Sequence, residues 1–215
     1  MDIDDLEFVH RFVPAAPAFQ PVSPARQTPA LVLLHGTGGD EEDLIPFARM
    51  VAPGAALLGI RGKELEGNAS RFFRRVSPGI FDETNLIFRT HELAHFLSLA
   101  IEEYSLPMKR IIALGYSNGA NMAASLLLLA PEILSGAVLL RAMVPFVPAV
   151  MPDLRGKRAL IESGRQDSVV PENGARRLKA LISEAGADVT HHWNDAEHGL
   201  TQADILATRA WLWNE

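Results

Sequence analysis

Cysteine is absent from the 215-residue chain. Disulfides and thiolate chemistry, catalytic or metal-binding, are thereby excluded, and a reducing compartment is compatible. Long apolar runs are also lacking: none approaches the roughly twenty residues that a membrane-spanning helix needs. The opening Met1-Asp2-Ile3-Asp4-Asp5-Leu6-Glu7 is acidic. It holds no apolar stretch of the secretory-signal kind, so a cytoplasmic location is expected. Positive charge is in deficit, with a formal net charge of −6, which argues against nucleic acid or an anionic membrane as partner. No internal repeat occurs, and compositional bias is confined to Pro14–Pro29, where five prolines read as an irregular connection.

What is present fits one globular unit. Hydrophobic residues make up 48% of the chain, enough at this length to bury a substantial core, and a single domain over residues 1–215 is expected. Apolar stretches alternate with helical ones, the pattern of an α/β protein whose mostly parallel sheet carries helices on both faces. An edge strand is expected at 7–13, followed by strands near 30–34, 56–60, 110–114, 136–140, 158–163 and 187–193. Helices are expected near 41–51, 85–104, 118–129, 171–185 and 201–213.

Gly115-Tyr116-Ser117-Asn118-Gly119 joins the apolar run Ile111-Ile112-Ala113-Leu114 to the helix-forming Ala120-Asn121-Met122-Ala123-Ala124. Strand, Gly-x-Ser-x-Gly and helix in succession are the layout of a nucleophile elbow, in which a tight turn lifts a serine hydroxyl above the sheet edge. A serine needs a base to take its proton and an acid to orient that base. Asp167 stands in Gly164-Arg165-Gln166-Asp167-Ser168-Val169-Val170-Pro171, after one strand, and His198 in Asn194-Asp195-Ala196-Glu197-His198-Gly199, after the last. The plainer alternatives are a turn-forming or helix-capping aspartate and a surface-loop histidine. The order Ser, Asp, His, each behind a strand, favours a triad. Two backbone N–H groups must also face the developing oxyanion. Asn118, after the serine, is one candidate. Thr37, in the glycine-rich loop His35-Gly36-Thr37-Gly38-Gly39 behind the 30–34 strand, is the other. That loop lacks the Gly-Lys-Ser/Thr ending of a phosphate loop.

Together, His35-Gly36-Thr37-Gly38-Gly39-Asp40-Glu41, Gly115 to Asn121 and the Asp167 and His198 loops resemble the phospholipase/carboxylesterase family. That family is related to acyl-protein thioesterases and dienelactone hydrolases. Arg71-Phe72-Phe73-Arg74-Arg75, Phe81-Asp82, Phe88-Arg89-Thr90 and Met143-Val144-Pro145 are similar to its bacterial carboxylesterases of the methylhydroquinone-resistance type. The resemblance runs from about residue 5 to 213. It implies an α/β-hydrolase fold, a cofactor-free and metal-free serine esterase, and substrate contacts from Arg71, Phe72 and Arg74. Two residues depart from the pattern. Glu197 replaces a glycine before the histidine, and Arg141 stands where a more neutral residue is expected. Both are expected to alter the charge of the pocket.

A rival motif is His91-Glu92-Leu93-Ala94-His95, which fits the zinc-peptidase pattern His-Glu-x-x-His. At 100° per residue, however, His91 and His95 lie opposite the apolar stripe Leu93, Leu97, Ala100, Tyr104 and so face solvent. His191 and His192 are neighbours on a strand and point to opposite faces, so they do not converge on one ion. Residues 62–84 read as a loop excursion over the strand ends, supplying part of a pocket wall, with Phe72 or Phe73 alternatively plugging the core. Met143 and Val144 follow another strand and are candidates to line an acyl or aryl pocket. The resulting expectation is a hydrolase of small to medium carboxylic esters, with thioesters or lactones as alternatives. A zinc peptidase or a non-catalytic binding module is the reading from another class. A small-molecule ester is the expected partner, and a homodimer is compatible with the sequence.

Overall fold

The computed structural model describes residues 8–16 and 28–213. Most of the proline-rich connection and the first residue of the expected edge strand therefore lie outside the described residues. The first half of the chain forms β1 (His10–Val13), β2 (Ala30–Leu34), α1 (Ile45–Val51) and β3 (Leu57–Ile60). Two short hairpins follow, β4 (Glu64–Glu66) with β5 (Ala69–Arg71) and β6 (Arg75–Ser77) with β7 (Ile80–Phe81), leading into the long α2 (Glu83–Glu103). The second half forms β8 (Ile111–Tyr116), α3 (Asn118–Leu129), β9 (Gly136–Leu140), β10 (Arg158–Gly164), α4 (Glu172–Glu184), β11 (Asp188–Asn194) and α5 (Gln202–Trp213).

Among the described residues, seven strands make one sheet in the order β1-β3-β2-β8-β9-β10-β11, parallel throughout except for β1, which pairs antiparallel with β3. Every residue of β2 (Ala-Leu-Val-Leu-Leu) and of β9 (Gly-Ala-Val-Leu-Leu) is buried. Such unbroken apolar strands occur where a parallel sheet is covered on both faces. The outer strand β11 has no buried position instead: Asp188 and His192 are exposed and the rest are half-buried. α3 is buried from Asn118 to Leu128, consistent with its small and apolar sequence on every face. α4 keeps only Ala175, Leu178, Leu181 and Ile182 inside, the stripe of a helix with one wet face.

The chain crosses from one side of β2 to the other between β3 and β8. Loops at the carboxyl ends of two adjacent strands there diverge, leaving the crevice where open α/β sheets bind ligands. The glycine-rich loop after β2 and the serine turn after β8 both open onto it.

Two expectations need correction. The 62–84 excursion, expected as loop, contains two separate two-stranded hairpins, and α1 begins at Ile45, not 41. At the latter, Asp40 accepts the Glu42 N–H at 2.8 Å and Glu41 is held by Arg61 at 2.6 Å, so the acidic run forms a turn.

Candidate active site

Ser117 sits between β8 and α3 with φ +52° and ψ −112°, a conformation an L-residue holds only under constraint. Its N–H donates to the Leu140 carbonyl at 2.9 Å, fixing the turn against the neighbouring strand. A Cβ on Gly115 would lie 2.4 Å from the Gly119 carbonyl oxygen, and one on Gly119 would lie 2.0 Å from that of Leu34. Both flanking glycines are thus demanded by contact.

His198 Nε2 lies 2.9 Å from Ser117 Oγ, and His198 Nδ1 lies 2.8 Å from Asp167 Oδ2. The acidic partner on Nδ1 sets the tautomer: Nδ1–H donates to the carboxylate, leaving the Nε2 lone pair to accept from the serine hydroxyl. The other oxygen, Asp167 Oδ1, accepts the N–H groups of Val169 and Val170 at 2.8 and 2.9 Å. Asp167 therefore caps the turn through one oxygen and partners His198 through the other. The Tyr116 hydroxyl donates to the His198 carbonyl at 3.2 Å.

The loop after β2 is fastened from below by buried His35, whose Nδ1–H donates to the Gly36 carbonyl at 2.6 Å. Its Nε2 accepts the Gly62 N–H at 3.0 Å. That arrangement requires neutral imidazole, and burial pushes the His35 pKa down. From above, Gly38 N–H donates to the Ser70 carbonyl at 2.9 Å and Arg71 Nη1 to Thr37 Oγ1 at 2.8 Å. Asn118, at the first turn of α3, accepts the Phe72 N–H on Oδ1 at 2.7 Å. Its main-chain N–H, like those of any first helical turn, has no acceptor one turn back within the helix. Thr37, Ser117 and Asn118 line one cleft.

No family model matches the chain. It is 42% identical over 181 residues to MhqD of Bacillus subtilis (strain 168), named as a hydrolase, which spans 84% of this chain and 90% of that protein. A crystal structure of the Bacillus cereus carboxylesterase superposes with a TM-score of 0.89 at 41% identity, over 97% of this chain and 95% of the other. The chain belongs to the phospholipase/carboxylesterase family. A carboxylesterase from Mesorhizobium loti is also similar, with a TM-score of 0.81 and 36% identity over 87% of this chain and 89% of that one.

In this carboxylesterase-type hydrolase the cleft has a cavity volume of about 50 Å³. Sites for drug-sized ligands hold about 300–1,000 Å³, so only a small group fits without movement. Arg71 and Met143 line it, but three other residues expected at substrate do not. Phe72 is buried with its ring 4.8 Å from that of His35. Val144 packs beside the core on another face. Arg74 is exposed and turned to Asp82, 3.2 Å away. Its neighbour Arg75 lines the cleft instead. Nothing in the pair Arg74-Arg75 tells which turns inward, because the β6–β7 hairpin decides it.

Arg141 also corrects an expectation. It is wholly buried, at φ +59°, and is not among the residues lining the cleft. Its two terminal nitrogens grip the two oxygens of Asp204 at 2.8 and 2.9 Å. The remaining N–H groups donate to the carbonyls of Glu162, Glu197 and Gly199 at 3.3, 3.2 and 3.0 Å, so all five donors are used. Glu197 and Gly199 flank His198, and the side chain of Glu197 points to solvent.

The rival motif is placed elsewhere. His91 and His95 are exposed on α2, and Glu92 is engaged by Lys63 at 2.6 Å and Arg89 at 2.7 Å. His191 and His192 have separate partners on β10, Ser163 at 3.0 Å and Glu162 at 2.8 Å. Among the described residues, no three potential metal-ligating side chains converge, and no helix is long and apolar enough to cross a membrane.

Proposed function

We propose that Ser117, His198 and Asp167 are the catalytic triad of this ester hydrolase. Ser117 Oγ attacks the ester carbonyl carbon while His198 Nε2 takes its proton. Asp167 holds the imidazole in the required tautomer and stabilises the imidazolium that forms. The main-chain N–H groups of Thr37 and Asn118 receive the oxyanion. Collapse of the tetrahedral intermediate expels the alcohol, which takes the proton from His198 and leaves an acyl group on Ser117. Water, deprotonated by the same histidine, attacks the acyl-enzyme. A second collapse releases the carboxylic acid and returns the proton to Ser117.

The observation that carries this reading is the continuous hydrogen-bonded path from Ser117 Oγ through both ring nitrogens of His198 to Asp167, at 2.9 and 2.8 Å. The small cleft favours short to medium acyl groups. The reading further takes residues 1–215 as one domain acting in the cytoplasm on small-molecule esters.

Hydrolysis of a nitrophenyl ester series from short to long acyl chains tests it. Ser117→Ala is expected to lose about three orders of magnitude or more in kcat, with no effect of a chelator on the wild type. Equal rates in the two proteins would sink the mechanism.

A further inference from the structure

The only charged side chains lining the cleft, among the described residues, are Arg71 and Arg75. In a chain of net charge −6, this concentrates positive charge beside Ser117. The two cations share one carboxylate. Arg75 places Nε and Nη2 on Glu66 Oε1 at 3.0 and 2.7 Å, and Arg71 Nη1 lies 3.2 Å from Glu66 Oε2. The trio keeps one net positive charge.

Arg71 is 4% exposed, and its position is defined by its bonds to the Phe73 carbonyl at 3.1 Å and Thr37 Oγ1 at 2.8 Å. Its other terminal nitrogen, Nη2, has no hydrogen-bond acceptor among the described residues. Burial pushes the Arg71 pKa down, and the neighbouring Arg75 adds to the effect. Both causes disfavour the cation, and an incoming anion would offset them. Glu66 is 44% exposed, and pairs this open to water contribute only about 0–1 kcal/mol. It competes weakly with a second carboxylate.

We propose that Arg71 and Arg75 form a carboxylate-recognising subsite. The preferred substrates are short esters that carry a free carboxylate, half-esters of small dicarboxylic acids being the simplest. Arg71 touches Thr37, so its free edge lies within a few methylene lengths of the scissile carbonyl. A planar guanidinium suits a carboxylate better than an ammonium would. This inference rests on Ser117 being the nucleophile.

The test is pH-stat hydrolysis of monomethyl succinate against dimethyl succinate, the latter corrected for its two equivalent esters. The wild type is expected to favour the monoanion by about tenfold or more in kcat/KM, as one charge-assisted hydrogen bond supplies, and added salt should shrink the ratio. Arg75→Gln should lower the ratio and Glu66→Gln should raise it. A wild-type ratio at or below one, or a ratio that neither variant moves, removes the subsite while leaving the Ser117 reading intact. If neither ester is cleaved but a fluorophosphonate labels Ser117, the substrate class is wrong and the serine chemistry stands. If Ser117 is not labelled either, the underlying reading falls with the inference.

Discussion

Replacing Arg141 with methionine keeps much of the side-chain length and removes the charge and five hydrogen-bond donors. Asp204, with no exposed surface, would retain three donors, the Thr201 N–H and hydroxyl at 2.7 and 2.9 Å and Asn194 Nδ2 at 2.9 Å. Breaking a buried ion pair from one side typically costs about 3–5 kcal/mol, and those surviving bonds put the expected loss near the lower end. At this chain length each kcal/mol lowers Tm by about 2–4 °C, so a fall on the order of 10 °C is expected. The Glu197 and Gly199 carbonyls would lose their common anchor on either side of His198. A misplacement of about 1 Å at a reacting group can cost about a hundredfold in rate, so kcat should drop while KM moves little. Thermal denaturation and ester kinetics read the two effects separately. Removing Asp204 as well, in Arg141→Met/Asp204→Leu, relieves the orphaned charge and should recover stability without recovering kcat. Tm within about 2 °C of wild type in the single variant, with unchanged kcat, would refute the clamp.

Two further outcomes follow from the same geometry. Asp167→Asn should remain folded, because its Oδ1 can still accept from Val169 and Val170, yet kcat should fall by about 10³–10⁴ as His198 loses its tautomer; an activity loss below tenfold would contradict the role given to Asp167. Burial raises the Glu162 pKa from the ordinary 4.5 to about 7, with the His192 partner opposing the shift. Folding therefore favours the protonated acid. Its contribution is complete below about pH 4.5 and is lost as pH rises through 7, a swing of about 3 kcal/mol. Denaturant titrations at pH 5 and pH 8 should show Glu162→Gln losing less stability over that interval than the wild type; parallel losses would contradict the assignment.

Where a residue's own neighbours in sequence decide its structure, the chain was readable in advance. β2, β9 and α3 start and end where their apolar composition predicts, and the serine turn announces itself because only glycine fits at 115 and 119. That Asp167 and His198 meet near Ser117 is legible for a related reason: each sits in the loop that follows a strand. The hairpins between β3 and α2 were not. Their two- and three-residue strands carry no alternation to read, and they are held by distant groups such as Gly38 on Ser70 and Asn118 on Phe72. That Arg75 and not Arg74 lines the cleft is not legible either, because the β6–β7 hairpin sets which of the two turns inward and the Arg75 partner, Glu66, lies on another hairpin. Arg141 looked like a charge in the pocket because its counter-ion, Asp204, is 63 residues away.

The β4–β5 hairpin and the Phe72 after it are bonded both to the glycine-rich loop, through Ser70 and Arg71, and to Asn118 at the start of α3, through Phe72. A segment that forms one wall of the cleft is therefore also part of the scaffold under the nucleophile's surroundings. Selection for a new substrate through this hairpin would not be free to act on binding alone. Substitutions at 70–72 should shift turnover and affinity together, whereas cleft-lining positions with no bond to those groups, such as Gly79 and Phe81, offer a route to altered preference at constant turnover. Laboratory libraries confined to each set would diverge accordingly, the first rich in inactive members and the second in active ones with changed selectivity.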